Sequence, residues 1–175
     1  MITTEILSNS HRKLKLDFSC GKDLLDTYLK TQASQDVRRK LSACFVSLHV
    51  ETGLIQGYYT LSNNSIPLDM VPDRFKNQLP NSYRSIPTTL LGRLAVDKRF
   101  EKKGVGKMLL IDALKRSYEI SKSIGSFAVM VDPLDIDAGN FYTKYGFILL
   151  PDSRKMFLAM KTIEKLFNRS EQILI

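Results

Sequence analysis

A strand, a glycine-containing turn and a helix follow one another in the middle of the chain, and this unit constrains the fold most. The segment TTLLGRLAVD, residues 88–97, is rich in Leu, Val and Thr and predicts a strand. Residues 105–123 predict the clearest helix, which ends at Gly125. Its polar face follows i, i+3, i+4 and i+7 spacing and comprises Asp112, Lys115, Arg116, Glu119 and Lys122.

The N-terminal half predicts one strand, a helical region and a β-hairpin. Residues 1–18 alternate loosely and predict a strand. Ser19 is expected to cap a helix that runs to about residue 33, followed by a helical turn ending in Arg38, Arg39 and Lys40. Thr52-Gly53 predicts the turn of a β-hairpin in ACFVSLHVETGLIQGYYTLS. Residues 64–87 hold four of the six prolines and predict a long loop with one short helix near 71–77.

The C-terminal third continues the alternation of strands and helices. A short strand is predicted for SFAVMVD, followed by a short helix in DIDAGNFYTKYGF that Gly146 closes. Two last strands are predicted for FILL and KMFLAMK, and the end of the chain is expected to be weakly helical or frayed. The order β-α-α-β-β-loop-β-α-β-α-β-β predicts a mixed α/β sheet covered by helices. A length of 175 residues fits one domain, 1–175, without repeats or a linker.

The charge balance predicts an anionic partner. The chain has 26 Lys and Arg against 18 Asp and Glu, a net charge of +8. Nucleic acid, a phosphorylated cofactor or an acidic protein would each use this surplus, although a generally basic surface is the simpler alternative. The N-terminus MITTEILSNSHRK shows no apolar h-region, and no run approaches about 18 apolar residues. No membrane association and a reducing, cytoplasmic location are therefore expected.

Metal and thiol chemistry are not expected. The two cysteines and two histidines show no CxxC, HxxxH or HExxH spacing, so no metal site is predicted. A nucleophilic cysteine would need a histidine partner, and neither histidine lies in a motif.

The turn KRFEKKGVG has the composition of an anion site. Gly104 and Gly106 let backbone N–H groups approach a ligand, and the following helix begins with partial positive charge. Full charges come from Lys102, Lys103 and Lys107. These groups suit a diphosphate, although neither GxxxxGK[ST] nor GxGxxG is present. A tight turn with solvated lysines is the alternative.

Three motifs together extend this interpretation. LGRLAVD, then GVG after six intervening residues, then NFYTKYGF resemble the GNAT superfamily of N-acetyltransferases, in which [RQ]xxGx[GA] cradles the pyrophosphate of acetyl-CoA. Here the motif begins with Glu101 instead of Gln or Arg. Further segments make the resemblance more specific, to the acetyltransferase toxins of bacterial toxin–antitoxin pairs; they are FSCGKDLLDTYL, GYYTLS and LPNSYRSIPTTLLGRLAVD. This resemblance covers residues ~5–160.

The resemblance implies a function and its partners. Toxins of this branch acetylate the α-amine of the amino acid on charged tRNA and so block translation. It implies a ribbon-helix-helix antitoxin, DNA binding only through that antitoxin, and a homodimer.

The resemblance also assigns site residues. The Val96 N–H would polarise the thioester carbonyl, and one such oxyanion donor lowers the barrier by ~3–4 kcal/mol. Tyr142 would donate a proton to the departing thiolate. The implied cofactor contacts are Leu94, Ala95, Val96, Lys102, Lys103, Gly104, Val105, Gly106, Lys107, Asn140, Phe141 and Tyr142. The basic residues expected to contact tRNA are Arg38, Arg39, Arg74, Lys76, Arg84 and Arg93.

The motifs contain no obvious general base, which favours an α-amine acceptor. A lysine amine is only ~0.1% deprotonated at pH 7.4, whereas an α-amine is roughly 30% deprotonated. A protein-lysine or small-amine acetyltransferase stays open as an alternative, as does a non-catalytic module with a CoA-binding fold.

Overall fold

A computed structural model describes residues 3–171, which form a mixed α/β structure. Seven strands lie in one hydrogen-bonded sheet in the order β1-β2-β3-β4-β5-β7-β6. They are β1 Thr4–Ile6, β2 Ala43–Leu48, β3 Ile55–Pro67, β4 Ser85–Val96, β5 Ala128–Val131, β6 Ile148–Leu149 and β7 Met156–Ala159. The helices are α1 Asp23–Thr27, α2 Ala33–Arg38, α3 Asp73–Lys76, α4 Val105–Ser121, α5 Ile136–Lys144 and α6 Met160–Glu171.

The pairings confirm a mixed, mostly antiparallel sheet flanked by helices. Strands β1 and β2, β2 and β3, β5 and β7, and β6 and β7 pair antiparallel, whereas β4 and β5 pair parallel. The chain divides into two compact units. Unit 1 comprises Met1–Ser62 and Leu91–Ala113, and unit 2 comprises Asn63–Leu90 and Leu114–Ile175. The expectation of one domain therefore stays a prediction.

Unit 1 is built around the predicted hairpin. Ala43 pairs with Leu61 and Leu48 with Ile55, and Gly53 turns the chain with a φ of +67°. Tyr58 of β3 lies in a buried cluster with Phe18, Leu29 and Ala95. Because the strands are hydrophobic on the side that the α1–α2 region covers, this core fixes β4 against β3.

The prediction of a strand over residues 1–18 was wrong beyond Ile6. Two 3₁₀ turns follow, Asn9–His11 and Leu14–Leu16. Ser8 N–H donates to His11 Nδ1 at 3.1 Å, so His11 Nε2 carries the proton towards Glu5 Oε1 at 2.9 Å. Such local side-chain bonds compete with strand pairing, which explains the early end of β1.

The prediction that Ser19 caps the first helix was also wrong. Helix α1 begins at Asp23. Ser19 N–H instead donates to Asp97 Oδ2 at 3.0 Å, and its hydroxyl donates to Asp26 at 3.1 Å. The helical region reaches Arg38 through a π-helix, Tyr28–Gln32, between α1 and α2.

Unit 2 has its own core, in which Ile66, Ile86, Met130 and Phe157 are buried. The predicted 64–87 loop is shorter than expected, because β3 continues to Pro67 and β4 begins at Ser85. Its predicted short helix is α3. The C-terminal segment forms the regular helix α6, because Ile163 is fully buried. The part of the frayed-end prediction that falls on residues 172–175 lies outside the described residues.

Candidate active site

The glycine turn in unit 1 has an unusual backbone. Strand β4 ends at Val96, a 3₁₀ turn covers Lys98–Phe100, and α4 begins at Val105. Between them, Lys102 has a φ of +58° and Gly104 a φ of +80°. A non-glycine residue in the left-handed region is uncommon and costs free energy. A turn with left-handed residues, such as Lys102 and Gly104, can direct neighbouring N–H groups towards one anion, and residues 102–107 are called the nest below.

The amides of this turn are available to a ligand. The first backbone bond into α4 runs from Met108 N–H to the Gly104 carbonyl at 3.1 Å. Within the described residues, the N–H groups of residues 102–107 donate to no backbone carbonyl. A side chain at Gly104 would meet no atom within 4 Å, and Lys102, Lys103 and Lys107 are exposed. The nest, the helix N-terminus and three cations therefore fit a diphosphate.

The edge of β4 presents two further amides. Asp97 N–H donates to the Gln56 carbonyl of β3 at 3.0 Å. Because successive N–H groups of a strand alternate between its edges, those of Leu94 and Val96 point to the edge away from β3. The parallel pairing of β4 with β5 comprises Thr89 and Leu90 only. As far as the structure describes the chain, no strand pairs with that edge at Leu94 or Val96, so both amides are free to polarise a carbonyl.

Two close contacts hold this part of β4 in place. Gly57 of β3 packs so tightly that an added Cβ would lie 2.8 Å from the Ala95 carbonyl oxygen and 2.6 Å from Leu109 Cδ1. Asp97, which is 1% exposed, accepts bonds from Arg99 Nε at 2.8 Å and from Ser19 N–H at 3.0 Å. Burial opposes ionisation, but the bonds from Arg99 and Ser19 outweigh it, and the pKa of Asp97 is lowered.

Tyr142 lies in unit 2, on the buried side of α5. Asp135 caps this helix by accepting the Ala138 N–H at 2.9 Å, and Gly146 follows its end with a φ of +87°. The Tyr142 side chain contacts Phe141 and Phe147, and burial raises its pKa above that of a free phenol. The Tyr142 hydroxyl forms no hydrogen bond with residues 3–171, and its oxygen is not completely buried. The phenol is therefore protonated and open to a partner.

Asn140 faces the other way from Tyr142. Two residues on an α-helix differ by about 200° in direction, and Asn140 is exposed in a groove of about 800 Å³. Further residues that line this groove are Ile136, Thr143, Leu149, Arg154 and Met156. Unit 2 thus brings Asn140 and Tyr142 onto one helix but not onto one face.

The predicted tRNA-contacting residues differ in exposure. In unit 1, Arg38 and Arg39 are exposed at the end of α2, while Arg93 is half-buried with its guanidinium 3.5 Å from the centre of the Tyr28 ring. In unit 2, Arg74 and Arg84 are exposed and Lys76 is half-buried. The sequence analysis missed Tyr28, since nothing in DLLDTYL separates it from an ordinary core aromatic.

Both thiols are buried, and their environment disfavours the thiolate form that a nucleophile needs. Burial, followed by a hydrogen bond with Asp26, raises the pKa of Cys20 to about 12. Burial likewise raises the pKa of Cys44 to about 12, so both remain thiols at neutral pH. Among residues 3–171, no group of three His, Cys, Asp or Glu side chains is arranged to hold a metal ion. None of the described helices is both long and apolar enough to span a bilayer.

Comparison with known proteins decides the family. The tRNA-acetylating toxin of Mycobacterium tuberculosis is 34% identical over 145 residues, which are 82% of this chain and 84% of the toxin. The chain belongs to the tRNA-acetylating toxins. The probable toxin TacT of Sinorhizobium fredii is 29% identical over 157 residues, 85% of this chain and 86% of that protein. No family profile matches the chain.

Solved toxins share the fold. A Tyr-to-Phe variant of KacT is 29% identical, with a TM-score of 0.87 over 94% of this chain and 98% of that protein. AtaT complexed with acetyl-methionyl-tRNAfMet is 28% identical, with a TM-score of 0.86 over 95% and 99% of the two chains. AtaTR bound with acetyl-CoA is 29% identical, with a TM-score of 0.81 over 95% and 98%. This protein therefore has the GNAT fold.

Proposed function

We propose that this toxin transfers an acetyl group from acetyl-CoA to the α-amine of aminoacyl-tRNA and thereby blocks translation. The observation that carries the proposal is the 34% identity, over 82% of the chain, with a protein named as a tRNA-acetylating toxin. The similar toxin AtaT has been solved with acetyl-methionyl-tRNA, and AtaTR with acetyl-CoA. The protein is thus an acetyl-CoA-dependent N-acetyltransferase whose 175 residues act as one domain.

Acetyl-CoA supplies the acetyl group as an activated thioester. The nest in unit 1 fits its diphosphate, because the amides of residues 102–107 are free and Gly104 leaves open space. Lys102, Lys103 and Lys107 add the charges that a diphosphate requires. Leu94, Ala95 and Val96 offer backbone groups to the pantetheine arm, and Asn140 and Phe141 offer a polar and an aromatic side chain.

Val96 and Tyr142 have the chemistry of the two catalytic roles. The Val96 N–H, on the free edge of β4, stabilises negative charge as it develops on the thioester oxygen, and one such donor contributes about 3–4 kcal/mol. The Tyr142 hydroxyl gives its proton to the departing thiolate, because its raised pKa keeps it protonated at neutral pH.

The carboxylate closest in sequence to these groups is unsuited to be a base. Asp97 is fully engaged by Arg99 and Ser19, and its lowered pKa makes it a poor proton acceptor. An acceptor that is partly deprotonated at neutral pH needs no strong base. This is the property of the α-amine of an aminoacyl group, and it favours that substrate over a lysine side chain.

The partners follow from the family and the charge. The net charge of +8, with Arg38, Arg39, Arg74, Lys76, Arg84 and Arg93, suits the phosphates of tRNA. An antitoxin neutralises the toxin; AtaT has been solved bound to the C-terminus of the antitoxin AtaR, and KacTA as a complex with DNA. We propose a ribbon-helix-helix antitoxin that alone contacts DNA, a homodimeric toxin, and a cytoplasmic location.

One experiment tests the proposed reaction. The purified protein is incubated with radiolabelled acetyl-CoA and a mixed pool of charged tRNA, with uncharged tRNA as the control. Label on the charged pool only is expected. Label on neither pool, with acetyl-CoA binding intact, would refute the tRNA substrate and direct attention to a protein amine. A protein that binds acetyl-CoA but acetylates nothing would be a non-catalytic module.

A further inference from the structure

Arg93 occupies a position where a cation is costly. It lies on β4 between Leu91 and Ala95, which share its face of the strand and are 1% and 4% exposed. A partly buried guanidinium usually has a carboxylate partner. Among residues 3–171, no acidic group lies within salt-bridge distance of Arg93, and no acceptor takes a hydrogen bond from it. None of these residues therefore accepts a hydrogen bond from any of its five N–H donors.

Tyr28 fixes the orientation of this guanidinium. The Arg93 Cζ lies 3.5 Å from the centre of the Tyr28 ring, so the plane of the cation is covered on one side. The ring is itself immobilised, because Tyr28 is 3% exposed and its hydroxyl donates to Asp36 Oδ2 at 3.0 Å. Gln32 donates to the same oxygen at 3.5 Å. Asp36 is thus occupied by Tyr28 and Gln32 and is not the counter-ion of Arg93.

The backbone brings Tyr28 into this position. Tyr28 begins the π-helix Tyr28–Gln32, where one extra residue per turn interrupts the otherwise α-helical region. π-Helical turns are uncommon and often occur at functional sites. A regular α-helix would place the residues after the π-helix, Asp36 included, about 100° differently around the helix axis. The π-helix therefore places the Tyr28 ring and Asp36, which accepts its hydroxyl bond, on the same side of the helical region, the side that faces β4.

We infer that Tyr28 positions Arg93 as a receptor for one phosphate of the tRNA acceptor end. A guanidinium stacked on a ring keeps its N–H edge free for a forked contact with a phosphate. The exposed Arg38 and Arg39 of the same unit add attraction for a polyanion. Acetyl-CoA also carries phosphates, but the nest of residues 102–107 already provides six amides for them. The inference rests on the proposed function for its ligand, whereas the receptor itself rests on the geometry.

The test measures the full-length protein and four variants: Arg93→Gln, Tyr28→Leu, Tyr28→Phe and the exposed control Lys13→Gln. Filter binding of charged tRNA at several salt concentrations gives the slope of log K against log salt, which falls by about 0.7–0.9 for each lost phosphate contact. Steady-state kinetics give KM for charged tRNA and for acetyl-CoA separately.

The expected result is specific. Arg93→Gln raises KM for tRNA about tenfold or more and leaves KM for acetyl-CoA unchanged. It lowers the slope of log K against log salt by about 0.7–0.9, the value of one phosphate contact. Tyr28→Leu weakens tRNA binding about three- to tenfold, and it adds little to Arg93→Gln in the double variant. Tyr28→Phe keeps the ring and stays much closer to the parent protein, and Lys13→Gln behaves as the parent protein.

Several outcomes would overturn the inference. They are an unchanged salt slope in Arg93→Gln, a loss confined to acetyl-CoA binding, or equal losses in Tyr28→Phe and Tyr28→Leu. If Tyr28→Leu does not fold, Arg93→Gln decides the matter: an unchanged salt slope overturns the inference, and a slope lowered by one phosphate contact supports it. Failure of the proposed function has another signature: the parent protein would transfer no label to charged tRNA, whatever the variants bind.

Discussion

Replacing Gly57 with alanine tests whether the free edge of β4 must be held rigidly. The new Cβ would lie 2.8 Å from the Ala95 carbonyl oxygen, a backbone atom that cannot rotate away. Ordinary contact begins at 3.4 Å, so this carbonyl would have to move by about 0.6 Å. The peptide unit that contains the Ala95 carbonyl also contains the Val96 N–H, so any displacement of one displaces the other.

The expected loss has two parts. Overpacking a filled core costs about 1–3 kcal/mol, and the reduced backbone freedom of alanine in the unfolded chain returns about 0.5–1 kcal/mol. A net loss of about 1–2 kcal/mol corresponds to a Tm lower by roughly 2–8 °C for a chain of this size. Catalysis should fall more than stability, since a donor displaced by half an ångström loses much of an oxyanion contribution of about 3–4 kcal/mol. We expect kcat to fall about tenfold or more.

The assay combines thermal unfolding, acetyl-CoA binding by calorimetry and transfer of label to charged tRNA. Gly125→Ala is the matched control, because a Cβ at Gly125 would meet no atom within 4 Å. It should match the parent protein in all three measurements. If Gly57→Ala unfolds at the parental temperature and retains full turnover, β4 is not held as the structure implies, and the argument for Val96 as a fixed donor is refuted.

Three further predictions concern the remaining parts of the site. Tyr142→Phe should lower kcat about 10²- to 10⁴-fold with unchanged acetyl-CoA affinity and Tm, whereas Tyr145→Phe should not; equal turnover in both variants would remove Tyr142 from catalysis. Gly104→Ala should cost about 1 kcal/mol of unfolding free energy, measured with urea, because φ is +80° there, and should weaken acetyl-CoA binding. Asp97→Asn should cost about 2 kcal/mol near neutral pH. The folded-state pKa of Asp97 is lowered, so this stabilisation is present above its unfolded-state pKa of about 4 and is lost as pH falls through the folded-state pKa. If the difference in unfolding free energy between variant and parent stayed constant into strong acid, this prediction would be contradicted.

The elements with strong local signals could be predicted from the sequence. The hairpin at Gly53, the central strand and helix on either side of the glycine turn, and the short helix closed by Gly146 were each confirmed. In each case apolar periodicity and a turn residue indicate the same structure. The family, the GNAT fold, the acetyltransferase activity and acetyl-CoA were confirmed too, because their motifs extend over most of the chain.

The elements that depend on distant contacts could not be predicted. Ser19 has the composition of a helix cap, but its amide and hydroxyl serve Asp97 and Asp26 instead. The polar face predicted for α4 includes Asp112, yet Thr4 and Tyr59 donate to its carboxylate at 2.6 and 2.5 Å, which makes it an anchor between the sheet and the helix. A sequence pattern reports which residues are polar, but not whether water or another side chain satisfies them.

The same limit applies to the proposed phosphate receptor, and it shows what kind of evidence such a site needs. Arg93 was predicted to contact tRNA from its charge, which it shares with five other residues in that prediction, and from its position one residue before the cofactor strand. The fold separates it further from them, because Arg93 lies on a core face of β4 with its guanidinium 3.5 Å from the centre of the Tyr28 ring. An exposed arginine such as Arg39 loses side-chain entropy when it binds a phosphate, whereas Arg93 is already ordered before the ligand arrives. Charge therefore identifies the surface that attracts a polyanion, and pre-organisation identifies the residue that fixes the position of one of its phosphates.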